Sequence, residues 1–350
     1  MSSTKPTIVV TGISGNLGLR LLPLLGEFDV IGIDLTPPNT GLPLRFEHMD
    51  LGEEESCRDL IALLRDSRAS MIIHLAFVLD PVRNGILDVD RMWRINVAGV
   101  ARLMEAIGET NRYETIVQKF IVPSSVAVYG SDIPGAAGED FPLGAHSLPY
   151  ALHKQEAERV IQHRAPGLRG CSAYVLRPHI FAGATVENYM VGVFRGTPNG
   201  RSGRAAGMRS RGERLPCMLP MGKRYLEHRI QFVHVDDVAR LILYIAQRTE
   251  PEMQRLTVLN VAGRGEPLSI ARCLELAQAK CLRVPGKASM RLALQLLWDL
   301  GISAVPPEAT PYLTGQYVMN TQRLKEFLGQ DYEKVIHYTV VDAFKDCFTS

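Results

Sequence analysis

The stretch "TIVVTGISGNLG" (residues 7–18) joins a short β-branched run to a turn that contains three glycines. The run favours a buried strand, and helical spacing of apolar residues follows the last glycine. Gly12 would permit a tight turn, Gly15 would let the backbone approach a pyrophosphate, and Gly18 would let the helix pack closely on the sheet. The stretch therefore predicts a strand–turn–helix unit that binds a dinucleotide at the helix N-terminus, where unpaired N–H groups face phosphate.

Apolar strands and amphipathic helices alternate along the first half of the chain. The next strands are predicted at "DVIGID", "SMIIHLA", "KFIVPSS" and "SAYVLRP" (residues 29–34, 70–76, 119–125 and 172–178). A long helix is predicted over residues 88–109, and another begins near Tyr150. This alternation predicts an α/β protein with a Rossmann-type doubly wound parallel sheet.

The pattern changes after Pro178, which predicts two regions. Residues 1–178 would form an NAD(P)-binding Rossmann domain, with its sheet completed by segments near 230–262. Residues 179–350 would form mainly a smaller, mixed α/β substrate-binding lobe. Within this lobe, residues 195–229 contain eight Arg and one Lys. Two interpretations of this basic stretch stay open: phosphate contacts for an anionic substrate, or a solvated surface insertion.

Composition narrows the class of protein. The net charge is +2, so nothing global indicates a nucleic-acid or membrane partner. The six cysteines form no C-x-x-C pair, which favours a reducing, cytoplasmic location and predicts neither a metal site nor disulfides. No stretch approaches the roughly 18 consecutive apolar residues of a membrane span.

Asp34 ends the second predicted strand, a position that suits a carboxylate accepting hydrogen bonds from both hydroxyls of a ribose. The same carboxylate would repel a 2′-phosphate, and Leu35 and Thr36 supply no compensating base. NAD is therefore favoured over NADP as the cofactor. Asp50 is a candidate for the adenine edge or, equally, for a helix N-cap.

These residues and the motifs downstream resemble the extended short-chain dehydrogenase/reductase family, the NAD-dependent epimerase/dehydratase group that includes UDP-galactose 4-epimerase. The segments that carry the resemblance are, in chain order, the TGxxGxxG turn, "IIHLAF", "INVAGV", "VPSSVAVYG", "YALHK", "LRPHIFAG", "FVHVDDVA" and "LNVAG". They span nearly the whole chain in the order that the family shows.

The resemblance implies a set of site residues. The catalytic residues would be Ser125, Tyr150 and Lys154. The cofactor-binding residues would be Gly12, Gly15, Asn16, Leu17, Gly18, Asp34, Asp50, Leu51, Leu75, Ala76, Asn96, Tyr150, Lys154 and Pro178. Candidate substrate residues are Phe77, Ser125, Val126, His179, Asn188 and Arg229.

Elementary chemistry supports the catalytic set. Tyrosine titrates near 10, too high for a base at neutral pH, but an ammonium one helical turn away favours the phenolate. Tyr150 would take a proton from a substrate hydroxyl while hydride leaves, and the Ser125 hydroxyl would hold the same oxygen. His153 is interpreted as a surface residue, and His74 and His234 as core residues.

The residues after Ser125 separate the possible reactions. Family members that dehydrate or decarboxylate carry acidic residues there, whereas this chain has Val126 and Ala127, so both reactions are disfavoured. The first hypothesis is an NAD-dependent nucleotide-sugar epimerase. The second is an NAD(P)-dependent alcohol dehydrogenase or ketone reductase on a non-nucleotide substrate, and the least favoured is a non-catalytic dinucleotide sensor.

The substrate side matches the family less well. UDP-sugar epimerases usually carry an Arg where this chain has Ile230, so an apolar substrate stays open. The resemblance also implies a homodimer that pairs the 88–109 helix and the helix from Tyr150. Met92, Ile95 and Leu103 could face either the core or the partner.

Overall fold

A seven-stranded parallel sheet forms the centre of the computed structural model, which describes residues 5–79, 82–83, 86–249 and 256–349. From one edge to the other its strands are Leu256–Val261, Ser172–Pro178, Lys119–Pro123, Met71–His74, Thr7–Thr11, Asp29–Asp34 and Arg45–His48. The order in which strands are added to the sheet reverses at Thr7–Thr11. The chain first adds Asp29–Asp34 on one side of this strand and later adds Met71–His74 on its other side. Ligands of doubly wound sheets bind at this switch point, and the predicted fold class is confirmed.

Helices cover both faces of the sheet. They are Asn16–Leu21, Ser56–Ser67, Val89–Trp93, Gly99–Thr110, Pro149–Arg164 and Val235–Gln247. Because successive strand residues point to opposite faces, Ile8 and Val10 pack with Leu241, whereas Val9 packs with Leu64 and Leu103. The sheet is therefore buried on both sides, as its continuous apolar strands predict.

Two local features differ from the sequence prediction. The edge strand Arg45–His48 was not predicted, because an edge strand with polar, half-exposed residues carries no apolar run. The predicted 88–109 helix is interrupted by one π-helical stretch, Arg94–Ala98, between Val89–Trp93 and Gly99–Thr110. Such widened turns often lie at functional sites, and this one contains Asn96.

The second half of the chain builds a smaller lobe of short elements. Its helices are Tyr189–Arg195, Gly203–Ser210, Arg224–Glu227, Ile270–Leu276, Gly286–Asp299, Thr310–Thr314 and Val340–Asp346. Its strands pair in twos: Ile180–Ala182 with Phe232–His234, Cys217–Pro220 with Cys281–Val284, and Arg229–Ile230 with Leu268–Ser269. Phe194, Phe232 and Phe344 lie in its core.

The chain returns to the Rossmann region after entering the smaller lobe. Leu256–Val261 forms an edge of the central sheet, and the helices Gln322–Leu328 and Tyr332–Val335 bring Leu324 and Val335 to the core on one face of that sheet. Two-residue strands complete the structure: Val82–Arg83 with Ile86–Leu87, and Ala136–Ala137 with Val318–Met319. In the described part of the chain, no helix is both long enough and apolar enough to cross a membrane.

Candidate active site

The glycine turn leaves the central strand at the carboxyl edge of the sheet. Gly12 has a φ of 70°, and a Cβ there would clash with the backbone nitrogen of Ala76. A Cβ at Gly18 would clash with the carbonyl of Ile13, within the same turn. Gly15 instead has extended backbone and caps the helix Asn16–Leu21. Two of the glycines are thus required by crowding, and the third leaves room above the helix N-terminus.

The end of the second strand lies beside this turn. The two carboxylate oxygens of Asp34 accept hydrogen bonds from the backbone N–H groups of Ser14 and Leu35, at 3.0 and 2.8 Å. Asp50 accepts from the Gly52 N–H at 2.8 Å, and its other oxygen lies 3.8 Å from the Arg91 guanidinium. Both carboxylates are fixed by backbone contacts at the position that the ribose and adenine would occupy.

A segment from the smaller lobe crosses the start of the helix Asn16–Leu21. The Asn16 amide donates to the carbonyl and hydroxyl of Thr185, at 3.1 and 3.2 Å, and Arg20 donates to the same hydroxyl at 2.8 Å. Asp346 holds the segment from the other side by accepting from the Ala184 N–H at 2.9 Å. These bonds tie residues 183–187, named here the strap, across the predicted pyrophosphate site.

The loop after the fourth strand forms the floor of the site. The Leu75 and Ala76 N–H groups donate to the carbonyl and hydroxyl of Thr11, at 2.9 and 3.4 Å. The side-chain amide of Asn96 pairs with both backbone groups of Val78, at 2.7 and 2.8 Å. Asn96 therefore positions the loop, whereas Leu75 and Ala76 lie against the glycine turn.

His74 ends the fourth strand and is almost fully buried. Its Nδ1 lies 2.7 Å from the Thr11 hydroxyl. Burial, aided by the nearby Lys154 charge, lowers the pKa of His74 to about 3, so the ring is neutral. Its environment agrees with the interpretation as a core residue.

Ser125 and Tyr150 come together at the same edge of the sheet. Ser125 follows the strand Lys119–Pro123 and caps a short 3₁₀ helix, where its hydroxyl accepts from the Ala127 N–H at 3.1 Å. Tyr150 is the second residue of the helix Pro149–Arg164, and the Ser125 hydroxyl lies close enough to the phenol to favour its ionised form. The two hydroxyls can therefore contact one substrate oxygen.

Lys154 lies one turn further along the helix and is buried. Its Nζ donates to the Pro123 carbonyl at 2.7 Å and lies 3.5 Å from the centroid of the Phe77 ring. The same ring meets Tyr150 edge-on, with 5.5 Å between the ring centroids. Burial lowers the pKa of Lys154 to about 7, although the Glu158 carboxylate acts in the opposite direction.

The expected lowering of the Tyr150 pKa is wrong for the chain without cofactor. Burial raises the pKa of Tyr150, and the nearby Ser125 hydroxyl offsets this only in part. The reason is that Phe77 packs against the partly buried phenol, while the Lys154 ammonium is directed at the Pro123 carbonyl. The phenol of Tyr150 is therefore protonated. It becomes a base only when a further positive charge nearby favours the phenolate.

A buried network behind Lys154 was not predicted. Glu158 and Arg177 form an ion pair with distances of 2.6 and 3.1 Å, and each side chain is only 2% exposed. Glu158 also accepts from the Ser124 hydroxyl, and Arg177 donates to the Tyr129 hydroxyl at 2.6 Å. Tyr150, Lys154 and Glu158 follow one another at four-residue spacing, which is the signal in the sequence that could have identified this third residue.

The predicted substrate residues have different environments. Both ring nitrogens of His179 are occupied, Nε2 by the Tyr317 carbonyl at 3.1 Å and Nδ1 by the Ile180 N–H at 2.9 Å. Burial lowers its pKa to about 4. Asn188 caps the helix Tyr189–Arg195 by accepting from Val191 N–H at 2.9 Å. Neither side chain is free for a substrate in this arrangement.

The remaining predicted residues, some for the substrate and some for the cofactor, differ in burial and position. Phe77 contacts the catalytic side chains directly, as described above. Val126 is buried in the 3₁₀ helix after Ser125, and Pro178 is buried at the end of its strand. Arg229 is exposed on the strand Arg229–Ile230, and Leu17 and Leu51 pack into the two cores beside the glycine turn.

The structure also shows the environments of His153, of His234 and of three apolar residues on the predicted 88–109 helix. The interpretation of His153 as a surface residue is wrong, because its side chain is only 6% exposed and lies on the inner side of the helix Pro149–Arg164. His234 is buried and caps the helix Val235–Gln247. Met92, Ile95 and Leu103 are all buried and face the core of this chain.

The arrangement fits a dinucleotide. The glycine turn leaves backbone room at a helix N-terminus, Asp34 lies at the strand end one turn away, and Lys154 has a buried ammonium near the loop Leu75–Ala76. A small pocket lies between this lysine and the sheet, and Phe77 and Glu158 contribute to its wall. No cluster of His, Cys, Asp or Glu that could hold a metal occurs among the residues with described positions.

Comparison with a library of protein families gives a match over most of the chain. The model of the NAD-dependent epimerase/dehydratase family matches residues 8–262, more than half of the chain. The match begins at the first strand of the sheet and ends after the last one. A search of curated protein sequences found no match.

Solved structures with this fold cover almost the whole chain. A structure of MoeE5 with UDP-glucuronic acid and NAD has a TM-score of 0.64 at 21% identity and covers 97% of this chain and 96% of its own. UDP-glucose 4-epimerase from Thermotoga maritima, with UDP-glucose, has a TM-score of 0.65 at 18% identity and covers 97% of each chain. UDP-glucuronic acid 4-epimerase from Bacillus cereus, with NAD, has a TM-score of 0.63 at 18% identity and covers 97% and 96%. At these identities the likeness concerns the fold.

Proposed function

The chain belongs to the NAD-dependent epimerase/dehydratase family, and we propose that it is an NAD-dependent epimerase that acts on a nucleotide-sugar. The observation that carries the proposal is that Ser125 and Tyr150 lie beside each other, with Lys154 one helical turn further along. All three lie at the carboxyl edge of the sheet, beside the glycine turn. The similar structures of MoeE5 and of the Thermotoga maritima enzyme contain UDP-glucuronic acid and UDP-glucose, which supports a UDP-sugar as the substrate class.

The side chains divide the reaction between them. Tyr150 takes the proton of a sugar hydroxyl while the carbon that carries it loses a hydride, and returns the proton to the same oxygen when the hydride comes back to the opposite face of that carbon. Ser125 holds the same oxygen through its hydroxyl and stabilises the charge that develops there. Lys154 holds a ribose hydroxyl and keeps positive charge near the phenol. NAD, when bound, accepts and returns the hydride and adds the positive charge of its nicotinamide ring.

Elimination and decarboxylation are disfavoured by the same geometry. Val126 and Ala127 follow Ser125 directly, are buried, and have no ionisable group. The nearest buried carboxylate behind Lys154 belongs to Glu158, which is engaged by Arg177 and Ser124. With Val126 and Ala127 in these places, the reversible transfer of a proton and a hydride is the chemistry that these residues support.

A second candidate function is supported by the smaller lobe. A pocket there is lined mainly by apolar side chains, among them Val193, Leu215, Met218 and Leu294. An NAD(P)-dependent alcohol dehydrogenase or ketone reductase with an apolar substrate would use such a pocket. Asn188 is committed to a helix cap, which also weakens the argument for a uracil site.

The two candidates are separated by one assay. Purified protein is incubated with NAD and UDP-glucose or UDP-galactose, and formation of the 4-epimer is followed. Tyr150→Phe should lower turnover by about 10³-fold and leave the melting temperature nearly unchanged, because it removes only a hydroxyl. If no epimer forms and no nucleotide-sugar raises the melting temperature, the first candidate falls. Steady formation of NADH from an apolar alcohol would then support the second.

Cofactor choice, assembly and location are parts of the same proposal. Asp34 supports NAD rather than NADP, since its carboxylate faces the ribose end of the site. Trp93 and Leu152 are 48% and 36% exposed on the two helices that would pair in a homodimer. All six cysteines are free, which supports the reducing cytoplasm.

A further inference from the structure

The helix Gly286–Asp299 exposes a stripe of leucines on the smaller lobe. Leu292, Leu296 and Leu300 are 62%, 55% and 45% exposed and follow one another at four-residue spacing, the last just beyond the helix end. On the opposite side, Met290 and Leu294 are buried and anchor the helix to the lobe. This helix is therefore apolar on its outer side as well as on the side that packs against the lobe. The fold leaves the outer apolar surface uncovered.

Exposed apolar side chains continue at the N-terminal end of this helix. Leu282 lies in the strand Cys281–Val284, which leads into the helix, and is 48% exposed. Met221 is 58% exposed, and its N–H donates to the Val284 carbonyl at 2.8 Å. We name the set Met221, Leu282, Leu292, Leu296 and Leu300 the leucine surface.

Cations flank the leucine surface at both ends. At the C-terminal end, the Ser202 N–H donates to the Gly301 carbonyl at 3.0 Å, which places the segment with Arg201 and Arg204 against that end of the helix. At the other end, Lys223 follows Met221 by two residues. The exposed cations of this region are Arg201, Arg204, Lys223, Lys287 and Arg291. Their side chains have no hydrogen bond or ion pair with any residue that the structure describes.

We infer that the leucine surface docks on the surface of an anionic lipid bilayer. An amphipathic helix that lies in the plane of a membrane combines an apolar stripe with flanking Lys and Arg, which bind lipid phosphates. Since no described helix is able to span a bilayer, the attachment is peripheral. The inference does not depend on the reaction that the enzyme catalyses, and it assigns a role to the basic stretch at residues 195–229.

Charge favours a bilayer over a second copy of this chain. A symmetric dimer through the leucine surface would bring each set of cations to the same set on its partner, which is repulsive. The main exposed acid of the helix is Asp299, which accepts from Gln295 at 2.8 Å, so the copies would have few acids to offer. The net charge of +2 conceals this local excess because the compensating acids lie elsewhere in the chain.

Vesicle co-sedimentation of the full chain tests the inference. At an ionic strength of about 0.1 M, the protein should bind phosphatidylcholine vesicles that contain about 30% phosphatidylserine, and bind pure phosphatidylcholine at least about tenfold more weakly. Leu292→Ser with Leu296→Ser should weaken binding to the anionic vesicles by about tenfold or more. The control, Leu24→Ser with Leu42→Ser, changes two leucines outside the leucine surface that are 38% and 41% exposed, and it should bind normally.

A charge variant provides the second arm. Arg201→Gln, Arg204→Gln and Lys287→Gln together should weaken binding by about tenfold and reduce its dependence on salt. Absence of binding to anionic vesicles, or binding that the leucine variant leaves intact, would overturn the inference. So would a dimer, measured by light scattering, that dissociates in the leucine variant, because the occupant would then be a second copy.

Discussion

The ammonium of Lys154 lies 3.5 Å from the centroid of the Phe77 ring, so the predicted catalytic lysine is covered by an aromatic face. The ring also contacts Tyr150, and Asn96 fixes the neighbouring residue, Val78, by two hydrogen bonds. A desolvated ammonium over an aromatic ring gains about 2 kcal/mol. Phe77 therefore offsets part of the cost of burying the lysine.

Replacing Phe77 by Leu should remove this attraction while keeping an apolar side chain. We expect a loss of about 1–2 kcal/mol in the free energy of unfolding at pH 6, where Lys154 is charged, and a smaller loss at pH 9, where it is largely neutral. Urea denaturation at the two pH values measures this. Phe77→Tyr keeps the ring and is the control, and an equal loss at both pH values would contradict the role of the charge.

Burial of Lys154 itself predicts a dependence of stability on pH. The pKa of this lysine falls from its ordinary value near 10.5 to about 7 on folding, so between these values the unfolded chain binds more protons than the folded one. The free energy of unfolding contributed by Lys154 therefore rises with pH from about 7 to about 10 and is lowest below pH 7. Lys154→Met should abolish this rise. The difference in the free energy of unfolding between the variant and the parent protein should therefore narrow or change sign as the pH increases. Denaturation at several pH values tests it, and parallel curves would count against a lowered pKa.

The glycine turn supplies a matched pair of substitutions. Gly12→Ala forces a side chain into a positive φ and against the Ala76 backbone, and should cost about 2 kcal/mol or more of stability. Gly15→Ala has an ordinary φ of −73°, and its Cβ would lie 3.2 Å from the Gly12 carbonyl, a contact that a small shift relieves, so it should cost clearly less stability than Gly12→Ala. It should nevertheless bind NADH about tenfold or more weakly, because the methyl group lies where phosphate approaches. Calorimetry and NADH fluorescence titration separate the two effects, and normal NADH binding by Gly15→Ala would sink the assignment of the site.

The ion pair behind Lys154 should behave non-additively. Glu158→Leu leaves the Arg177 guanidinium without its anionic partner in a buried site and should cost about 3 kcal/mol, as should Arg177→Met. Glu158→Leu combined with Arg177→Met removes both charges and should cost clearly less than the sum of the single changes. Urea denaturation of the four proteins gives the coupling energy. The surface pair Arg159–Glu156 is the control and should show little coupling, and additive costs at Glu158 and Arg177 would show that the buried pair is unimportant.

Much of this architecture could be predicted from local patterns. Strand runs and helical periodicity identify the sheet because buried parallel strands are apolar throughout, and the glycine turn is recognisable because Gly12 and Gly18 answer local steric needs and Gly15 opens the helix. The positions of Ser125, Tyr150 and Lys154 follow from their motifs. The similarity of the whole chain to family members then gives the fold class.

The remaining features depend on contacts between distant segments. The partner of Glu158 is Arg177, from a neighbouring strand, and nothing in the sequence around either residue specifies the other. The pKa of Tyr150 is set by its cover, which includes Phe77, rather than by the nearby lysine. His153 is buried because the helix Pro149–Arg164 is covered on more than one side, which its mixed polar sequence does not reveal.

The strap over the glycine turn gives a prediction about the cofactor that is independent of turnover. Thr185 receives hydrogen bonds from Asn16 and Arg20, at the start of the helix that would hold the pyrophosphate, so the strap closes this side of the site. A bound dinucleotide can leave only after these bonds break or after the other side opens. Thr185→Val keeps the volume of the side chain and loses the hydroxyl, and it should release NADH about three- to tenfold faster.

Stopped-flow displacement of NADH measures that release rate without any substrate. Ser67→Ala is the matched control, because its hydroxyl bonds only to the Leu63 carbonyl at the end of a helix on the opposite edge of the sheet. Its release rate should equal that of the parent protein. An unchanged rate in Thr185→Val, together with a normal equilibrium affinity, would mean that the strap lies beside the exit path of the cofactor and does not control it. A faster rate with a proportionally weaker affinity would support the prediction. The Thr185 hydroxyl would then help to retain the dinucleotide, because release breaks its hydrogen bonds with Asn16 and Arg20.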